Sequence, residues 1–259
     1  MKTRIISGII LLPLLLLLVI GGTPLYVAEI IMISIAMHEF YYAFEAKDIK
    51  PIYLLGYIFA AYLGVKHILG LPTAAIYIMT YVLFVVAIIY MLSGKKNIID
   101  VSVTFSGFFY VGIFFDCVIA TKNGLANGDI YVWLIFIIAF ATDIFAYFSG
   151  YFFGKHKLIP SVSPKKTIEG SIGGILGSTV GCMIFGHFFG LDIVHMLVIG
   201  LTGSVIAQFG DLFASSIKRY VGIKDYGKLI PGHGGVLDRF DSVILVAPFV
   251  YNAIKLFGM

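Results

Sequence analysis

The chain has 259 residues, of which 60% are hydrophobic and only 12% are charged, and it contains 23 Phe and 16 Tyr. This composition excludes an ordinary soluble domain and predicts a membrane protein, because runs of about 20 apolar residues span the hydrocarbon core of a bilayer. The formal net charge of +4 says little until the charges are assigned to loops. Both cysteines, Cys117 and Cys182, lie inside apolar runs, so no disulfide framework is predicted.

Apolar runs in chain order predict an all-α, polytopic membrane fold with nine transmembrane helices. The predicted spans are 5–21, 25–44, 51–70, 73–93, 101–120, 130–150, 171–190, 193–214 and 241–258. The first span begins with basic residues and a Leu-rich run, as a signal peptide does. It has no clear small-x-small cleavage site, so we expect it to remain in the protein.

The basic residues predict the orientation of the helices. All 18 Lys and Arg residues except Lys66, Lys122 and Lys255 fall in the amino terminus or in alternate loops on the same side. Cytoplasmic loops carry the excess of Lys and Arg, so the amino terminus and the two long polar loops, 151–170 and 215–240, are predicted to be cytoplasmic. With nine spans, the carboxyl terminus is predicted to lie outside.

The most polar passage, residues 215–241, reads SSIKRYVGIKDYGKLIPGHGGVLDRFD. Basic side chains and closely spaced carboxylates surround a glycine-rich turn. Carboxylates hold a hard cation such as Mg²⁺, Lys and Arg neutralise phosphate charge, and glycines let backbone N–H groups approach anionic oxygens. The alternative is a solvated loop that only sets topology. Such a loop needs neither a His-Gly-Gly turn nor an Asp-Arg-x-Asp sequence, so a phosphate and metal site is favoured.

Acidic residues inside predicted spans are functional candidates, because each costs about 2.5–3.5 kcal/mol on insertion scales. They are Glu29, Glu39, Asp116, Asp143 and Asp211. The predicted topology places Asp143 and Asp211 at the cytoplasmic depth of Asp238 and Asp241. Four carboxylates at one depth predict a metal and phosphate site at the cytoplasmic face. For the others a hydrogen-bonded helix–helix contact is favoured, although Glu39 could join a polar network at that face.

The other long polar loop contains Ser163-Pro164-Lys165-Lys166-Thr167-Ile168-Glu169-Gly170. Its residues predict a helix start, with Thr167 or Ser163 as the cap and Glu169 at the amino end of the helix dipole. A second interpretation gives Lys166 a phosphate contact and Thr167 a hydroxyl contact to nucleotide or metal. The following span is rich in small residues, including a Gly173-x-x-x-Gly177 pair. This spacing predicts close helix packing, and a lipid groove remains the alternative.

The passage 215–241 resembles the signature of the phosphatidate cytidylyltransferases, or CDP-diacylglycerol synthases. The matching positions, without a gap, are Ser215, Ile217, Lys218, Arg219, Lys224, Asp225, Gly227, Pro231, His233, Gly234, Gly235, Val236, Asp238, Arg239, Phe240 and Asp241. The loop 163–170 resembles a second family block, Ser-Pro-x-Lys-Thr-x-Glu-Gly. Asp143, in Ala-Thr-Asp-x-x-Ala-Tyr, resembles a third. The matches cover about 140–241, so we expect an N-terminal helix bundle over 1–120 and a catalytic region over 121–259.

The resemblance implies transfer of CMP from CTP to the phosphate of phosphatidic acid, with release of pyrophosphate. It implies metal binding by Asp211 and Asp238, with Asp241 as a further ligand, and Mg²⁺ beside a monovalent cation such as K⁺. The remaining candidates contact the substrates. For catalysis and phosphate binding they are Asp143, Lys166, Thr167, Lys218, Arg219, Lys224, Asp225, His233 and Arg239. For the nucleotide or its phosphates they are Ser163, Gly234 and Gly235.

The predicted partners are CTP, phosphatidic acid, the lipid bilayer and a second copy of the chain, with no nucleic acid among them. The predicted location is a prokaryotic plasma membrane, with the site facing the cytoplasm. Two classes of alternative remain. One is a related CTP-dependent enzyme acting on another lipid, such as a CDP-archaeol synthase or a polyprenol kinase. The other is a transporter, although transporters tend to place charges near the midplane and to show two related halves.

Overall fold

The computed structural model describes residues 15–229 and 234–259, and most of them are helical. A helical segment over 15–20 precedes the elements numbered below. The helices are α1 Gly22–Glu45, α2 Tyr53–Ile68, α3 Ala74–Leu92, α4 Ile98–Gly107, α5 Phe114–Gly124, α6 Gly128–Phe153, α7 Ile168–Phe188, α8 Ile193–Val221 and α9 Leu237–Phe257. A π-helical turn, Phe108–Ile113, joins α4 to α5. Strands β1, Lys157–Ile159, and β2, Ser163–Thr167, form a hairpin between α6 and α7.

Seven helical stretches among the described residues are long and apolar enough to cross a membrane. Helix α2 has only 16 residues, fewer than the roughly 20 needed to span the hydrocarbon core. The stretch Ile98–Gly124 counts as one span, since the π-helical turn keeps the chain helical from α4 through α5. An all-α, polytopic membrane fold is therefore confirmed, whereas the exact number of nine helices is not. Most of the first predicted span, 5–21, lies outside the described residues.

The chain divides into two compact units, and each is discontinuous in sequence. The first unit combines Met1–Asp116 with Tyr220–Arg239, and the second combines Cys117–Arg219 with Phe240–Met259. The first unit therefore contains α1 to α4 and most of the polar passage. The second contains α6, the hairpin, α7 and most of α8 and α9.

A buried tyrosine organises the core of the first unit. The Tyr41 hydroxyl, on α1, donates a 2.8 Å hydrogen bond to the Thr104 carbonyl on α4. A Cβ atom at Gly56 or at Gly107 would lie 2.5 Å from the Tyr41 ring, which is closer than carbon atoms approach. Glycine at both positions therefore lets α2 and α4 pack directly against this ring.

Four ionisable side chains, three of them buried, also join helices of the first unit. The Lys66 ammonium, on α2, donates to both carboxylate oxygens of Asp116 on α5, at 2.9 and 2.8 Å. The neighbouring His67 Nε2 lies 2.7 Å from Asp116 Oδ1 and 3.8 Å from a Glu29 oxygen on α1. Lys66, Asp116 and Glu29 are almost fully buried. Ion pairing within the protein therefore offsets much of the cost of these charges.

In the second unit, the small residues of α7 lie against α6. A Cβ atom at Gly173 would overlap the Ser149 side chain, and one at Gly177 would overlap the Phe145 ring. At Gly174 a Cβ atom would lie 2.9 Å from the Thr142 carbonyl oxygen. These contacts are the close backbone approach that the glycine spacing predicts.

We predict that Lys66→Met strongly destabilises the protein, since it leaves the Asp116 carboxylate buried without its ammonium partner. Breaking a buried pair in this way costs about 3–5 kcal/mol. The thermal unfolding midpoint in detergent should fall by roughly 10 °C. Lys95→Met, at an exposed position, is the matched control and should leave the midpoint unchanged. A double variant, Lys66→Met with Asp116→Asn, should recover part of the loss, and an unchanged midpoint in Lys66→Met would contradict the prediction.

Candidate active site

The second unit contains a cavity of about 440 Å³ whose walls are both polar and aromatic. Helices α6, α7 and α8 and the hairpin all contribute to it. The lining residues are Thr142, Asp143, Ala146, Tyr147, Gly150, Tyr151, Leu158, Lys165, Lys166, Thr167, Gly170, Ser171 and Gln208. Three predicted site residues, Asp143, Lys166 and Thr167, are among them. A volume of this size falls in the range of small-molecule sites.

The hairpin determines where Lys166 and Thr167 lie. Strands β1 and β2 pair antiparallel, with Lys157 opposite Thr167 and Ile159 opposite Ser163. Thr167 then caps α7, because its Oγ1 accepts a 3.1 Å hydrogen bond from the Gly170 N–H. The predicted helix start is confirmed, with Thr167 rather than Ser163 as the cap. The hydroxyl contact of Thr167 to nucleotide or metal stays a prediction.

Lys166 and Asp211 form an ion pair within the second unit. Both side chains are partly exposed, at 29% and 23%, so the pair can exchange partners with a ligand that enters the cavity. Ser171 and Gln208 lie beside them and hydrogen bond to each other, with Gln208 Nε2 donating to the Ser171 carbonyl at 3.2 Å. Sequence reasoning did not select Gln208. A polar amide three residues before Asp211 in an apolar helix was the available signal.

Three of the predicted carboxylates come together in the second unit. Asp143 on α6 and Asp211 on α8 lie close enough to Asp241 on α9 to act on it electrostatically. Asp241 is buried, and its Oδ1 accepts a 2.8 Å hydrogen bond from the Ser242 N–H. Helices α8 and α9 approach each other closely at this point, since a Cβ atom at Gly210 would lie 2.7 Å from the Asp241 carbonyl oxygen.

Basic side chains reach the same region from the end of α8. Lys218 is buried and acts on Asp241 with the opposite sign to Asp143 and Asp211. Arg219 is exposed, and its Nε donates to the Val162 carbonyl at 3.3 Å. The next residue, Ser163, begins β2. This part of the second unit therefore combines carboxylates with ammonium and guanidinium groups beside a polar cavity.

The remaining predicted residues belong to the first unit, where Asp238 closes the glycine-rich turn. Its Oδ2 accepts hydrogen bonds from the Tyr226 N–H at 2.7 Å and the Gly235 N–H at 3.0 Å. Gly234 has φ of +86°, and a Cβ atom there would lie 2.6 Å from Asp238 Oδ2. Glycine at this position is therefore required both by the backbone conformation and by the approach of the carboxylate. The predicted phosphate role of Gly234 stays a prediction.

The other polar residues of the turn are less enclosed. Lys224 and Asp225 are exposed, whereas Arg239 is half-buried. Within the described part of the chain, Arg239 Nε is buried and makes no hydrogen bond. His233 lies outside the described residues, so its predicted phosphate contact has no structural counterpart here.

Glu39, for which the sequence favoured a helix–helix contact, binds the backbone next to this turn. It lies on α1, and its two carboxylate oxygens accept hydrogen bonds from the Val236 N–H at 3.0 Å and the Leu237 N–H at 2.8 Å. The contact therefore joins α1 to backbone N–H groups at the amino end of α9, and not to a side chain on the face of another helix. The available signal was the cost of an acidic group in an apolar span.

A different set of side chains meets the distance expected of metal ligands. Glu29, His67 and Asp116 each offer a ligand atom, and these atoms lie within 4.8 Å of one another. No other such group of three occurs among the described residues. Lys66 already supplies a positive charge to Asp116 there. For Asp211, the neighbouring cation is the Lys166 ammonium.

The chain is similar to known proteins over almost its whole length. The model of the cytidylyltransferase family matches residues 2–257. A phosphatidate cytidylyltransferase of Staphylococcus haemolyticus is 35% identical, over 96% of this chain and 95% of its own length. One from Bacillus subtilis is 34% identical, over 100% of this chain and 99% of its own. A third, from Staphylococcus saprophyticus, is 32% identical over 96% of this chain and 95% of its own.

These matches extend over the N-terminal helices as well as the polar motifs, so the resemblance is not confined to residues 140–241. They favour an enzyme over the transporter considered above. The chain belongs to the cytidylyltransferase family.

Proposed function

We propose that this protein transfers CMP from CTP to the phosphate of phosphatidic acid, forming CDP-diacylglycerol and releasing diphosphate. The similar proteins of Staphylococcus and Bacillus are named phosphatidate cytidylyltransferase, and they match this chain over nearly its full length. The structural observation that carries the proposal is the polar cavity of the second unit. Lys166 and Asp143 both line it, together with the polar side chains of Thr167, Ser171 and Gln208.

The chemistry requires positioning and charge neutralisation more than a strong base. A phosphate oxygen of phosphatidic acid attacks the α-phosphorus of CTP, the new O–P bond forms, and the bond to the β-phosphate oxygen breaks. The nucleophile is already an anion, so no proton has to be removed from it. Because two polyanions must meet, catalysis of this kind relies on electrostatic stabilisation of the transferring and leaving phosphates.

Basic side chains of this chain suit that task. We assign Lys166, Lys218 and Arg219 to neutralisation of substrate phosphates, and Lys224 and Arg239 to the same role. Ser163, Thr167 and the Gly234-Gly235 backbone are assigned to contacts with CTP, and His233 to a phosphate contact. Asp225 is kept among the catalytic candidates because it belongs to the same Lys-Asp pair of the motif.

The carboxylates fit Mg²⁺ by their chemistry, since this ion prefers oxygen ligands and few of them from the protein. Asp143 and Asp211 both oppose a negative charge on the buried Asp241, and a cation bound among the three carboxylates would relieve this repulsion. We propose Asp211, Asp238 and Asp241 as the residues that would hold Mg²⁺, with K⁺ as a second ion. When bound, Mg²⁺ would neutralise phosphate charge. Lys166, which pairs with Asp211, is proposed to contact a substrate phosphate.

The location follows from the substrates and from the basic loops. Phosphatidic acid is a membrane lipid and CTP is a cytosolic nucleotide, so the two meet at a membrane surface. We propose the cytoplasmic face of a plasma membrane, because the Lys and Arg residues concentrate in the loops that contain the motifs. Residues 121–259 are proposed as the catalytic region, and the family resemblance supports a homodimer.

Product analysis tests the reaction and separates it from its relatives. With CTP, Mg²⁺ and phosphatidic acid, purified protein in detergent should release diphosphate and form a CDP-lipid in equal amounts. A lipid kinase would instead release CDP. If CDP-lipid forms only from an archaeal ether lipid, the protein is a CDP-archaeol synthase. Omission of the lipid is the control and should abolish diphosphate release.

Replacement of the buried carboxylate tests the site. Asp241→Asn keeps the shape of the side chain but removes its charge, so we expect the rate of diphosphate release to fall on the order of 10²–10³-fold. Asp48→Asn is the matched control, because Asp48 is exposed and Asn tolerates its φ of 57°. The control should keep the wild-type rate. An Asp241→Asn protein with the wild-type rate would exclude this carboxylate from the site.

Metal removal tests the proposed cation. Treatment with a chelator should reduce diphosphate release to the background rate, because carboxylates and substrate phosphates would repel one another without the ion. Addition of Mg²⁺ should restore the rate. Full activity after chelation, with no divalent ion remaining by elemental analysis, would contradict a divalent cofactor.

A further inference from the structure

The amino end of α9 is held by a side chain from a distant part of the chain. Glu39, on α1, accepts one hydrogen bond with each carboxylate oxygen, from the Val236 N–H at 3.0 Å and the Leu237 N–H at 2.8 Å. The first N–H groups of a helix have no partner within the helix, and a negative charge near them is favoured by the helix dipole. Glu39 thus performs the role of an N-cap, from nearly 200 residues earlier in the sequence.

Two glycines provide the space that this contact needs. A Cβ atom at Gly235 would overlap both carboxylate oxygens of Glu39, and one at Gly227 would overlap Oε1. The nearest atoms to the added Cβ at Gly235 are all atoms of Glu39. Gly227 and Gly235 therefore both lie directly against the same buried Glu39 carboxylate, which is 6% exposed.

Asp238 is fixed by the same segment. Its Oδ2 accepts from the N–H groups of Tyr226 and Gly235, which are direct chain neighbours of Gly227 and Val236. Glu39 therefore holds the backbone that in turn orients the Asp238 carboxyl group. A shift of the turn away from Glu39 would rotate or displace that carboxyl group.

We propose that Glu39 is a positioning residue for the reaction: its carboxylate holds the first turn of α9 and thereby sets the orientation of Asp238. The inference rests on the proposed function only where Asp238 is taken to bind a cation. In this role Glu39 acts through the backbone N–H groups of Val236 and Leu237 and not by direct contact with substrate or metal. The anchoring of the turn by Glu39 depends only on the folded chain, so it can be measured without an activity assay.

Hydrogen exchange of the full protein in detergent tests the anchoring. In Glu39→Gln, one amide oxygen can still accept, but the NH₂ group faces a backbone N–H, so one of the two hydrogen bonds is lost. The peptide containing Val236 and Leu237 should exchange at least 10-fold faster in Glu39→Gln and Glu39→Ala. Glu45→Gln, an exposed position on the same helix, is the control and should exchange as wild type does.

Steady-state kinetics tests the positioning role. Outer partners that orient metal ligands typically contribute 10–100-fold to metal affinity or activity. In Glu39→Gln we therefore expect the Mg²⁺ concentration for half-maximal diphosphate release to rise by 10-fold or more. The KM for CTP at saturating Mg²⁺ should change less than threefold. A purely structural contact would lower the amount of folded protein without moving the Mg²⁺ dependence.

A double-mutant cycle makes the test independent of the phosphate role predicted for Gly235. Gly235→Ala introduces a Cβ that displaces the Glu39 carboxylate, so it should accelerate exchange of the same peptide. In the Glu39→Ala background the obstacle is gone, and the further effect of Gly235→Ala should shrink by several-fold. Additive effects would mean that Gly235 and Glu39 act separately.

Unchanged exchange in both Glu39 variants overturns the proposal, whatever the activity. Faster exchange with a wild-type Mg²⁺ dependence also overturns it, because the turn would be loosened without consequence for Asp238. If wild-type protein releases no diphosphate from CTP and phosphatidic acid, the proposed function fails. The exchange experiment still decides whether Glu39 anchors the turn.

Discussion

Mutual repulsion among three carboxylates is the constraint on which the second unit depends. The three come from different helices, and Asp143 and Asp211 both act electrostatically on Asp241. Burial makes the negative charge of Asp241 costly, and the two neighbouring carboxylates increase that cost. Lys166 pairs with Asp211 and Lys218 opposes the charge of Asp241, so the basic residues near the cavity are part of the fold's electrostatic balance. The same arrangement suits substrates that bring further phosphate charge and require cations.

The first unit neutralises its buried acids in two other ways. Asp116 receives a lysine ammonium, whereas Glu39 receives backbone N–H groups at the start of α9. Both devices join sequence-distant segments, because the Lys66 ammonium lies on α2 and the two N–H groups belong to Val236 and Leu237. An acidic residue in an apolar span is therefore not a direct indication of catalysis. The partner that neutralises it distinguishes a packing role, a positioning role and a cation site.

Periodicity and composition were sufficient to predict the helices, since about 20 consecutive apolar residues have few other stable environments. They did not predict the β1–β2 hairpin, which is short and polar, or the π-helical turn between α4 and α5. Helix depth predicted that Asp143, Asp211, Asp238 and Asp241 gather at one face, and among these Asp143 and Asp211 lie close enough to act on Asp241. It was uninformative for Glu39, because depth alone does not tell which neighbouring segment a side chain meets.

The sequence by itself determined the class of the protein, the approximate helices and the family motifs, because hydrophobic runs and motif spacing are local properties of the chain. Only the tertiary structure decided that residues 220–239 belong to the same unit as the N-terminal helices. It also decided that the Glu39 carboxylate from α1 occupies the space that a side chain at position 235 would need. It also decided that the Thr167 hydroxyl caps α7. Each of these features depends on contacts between segments that are far apart in sequence or on a hydrogen bond with more than one candidate acceptor, and neither is encoded in a local pattern.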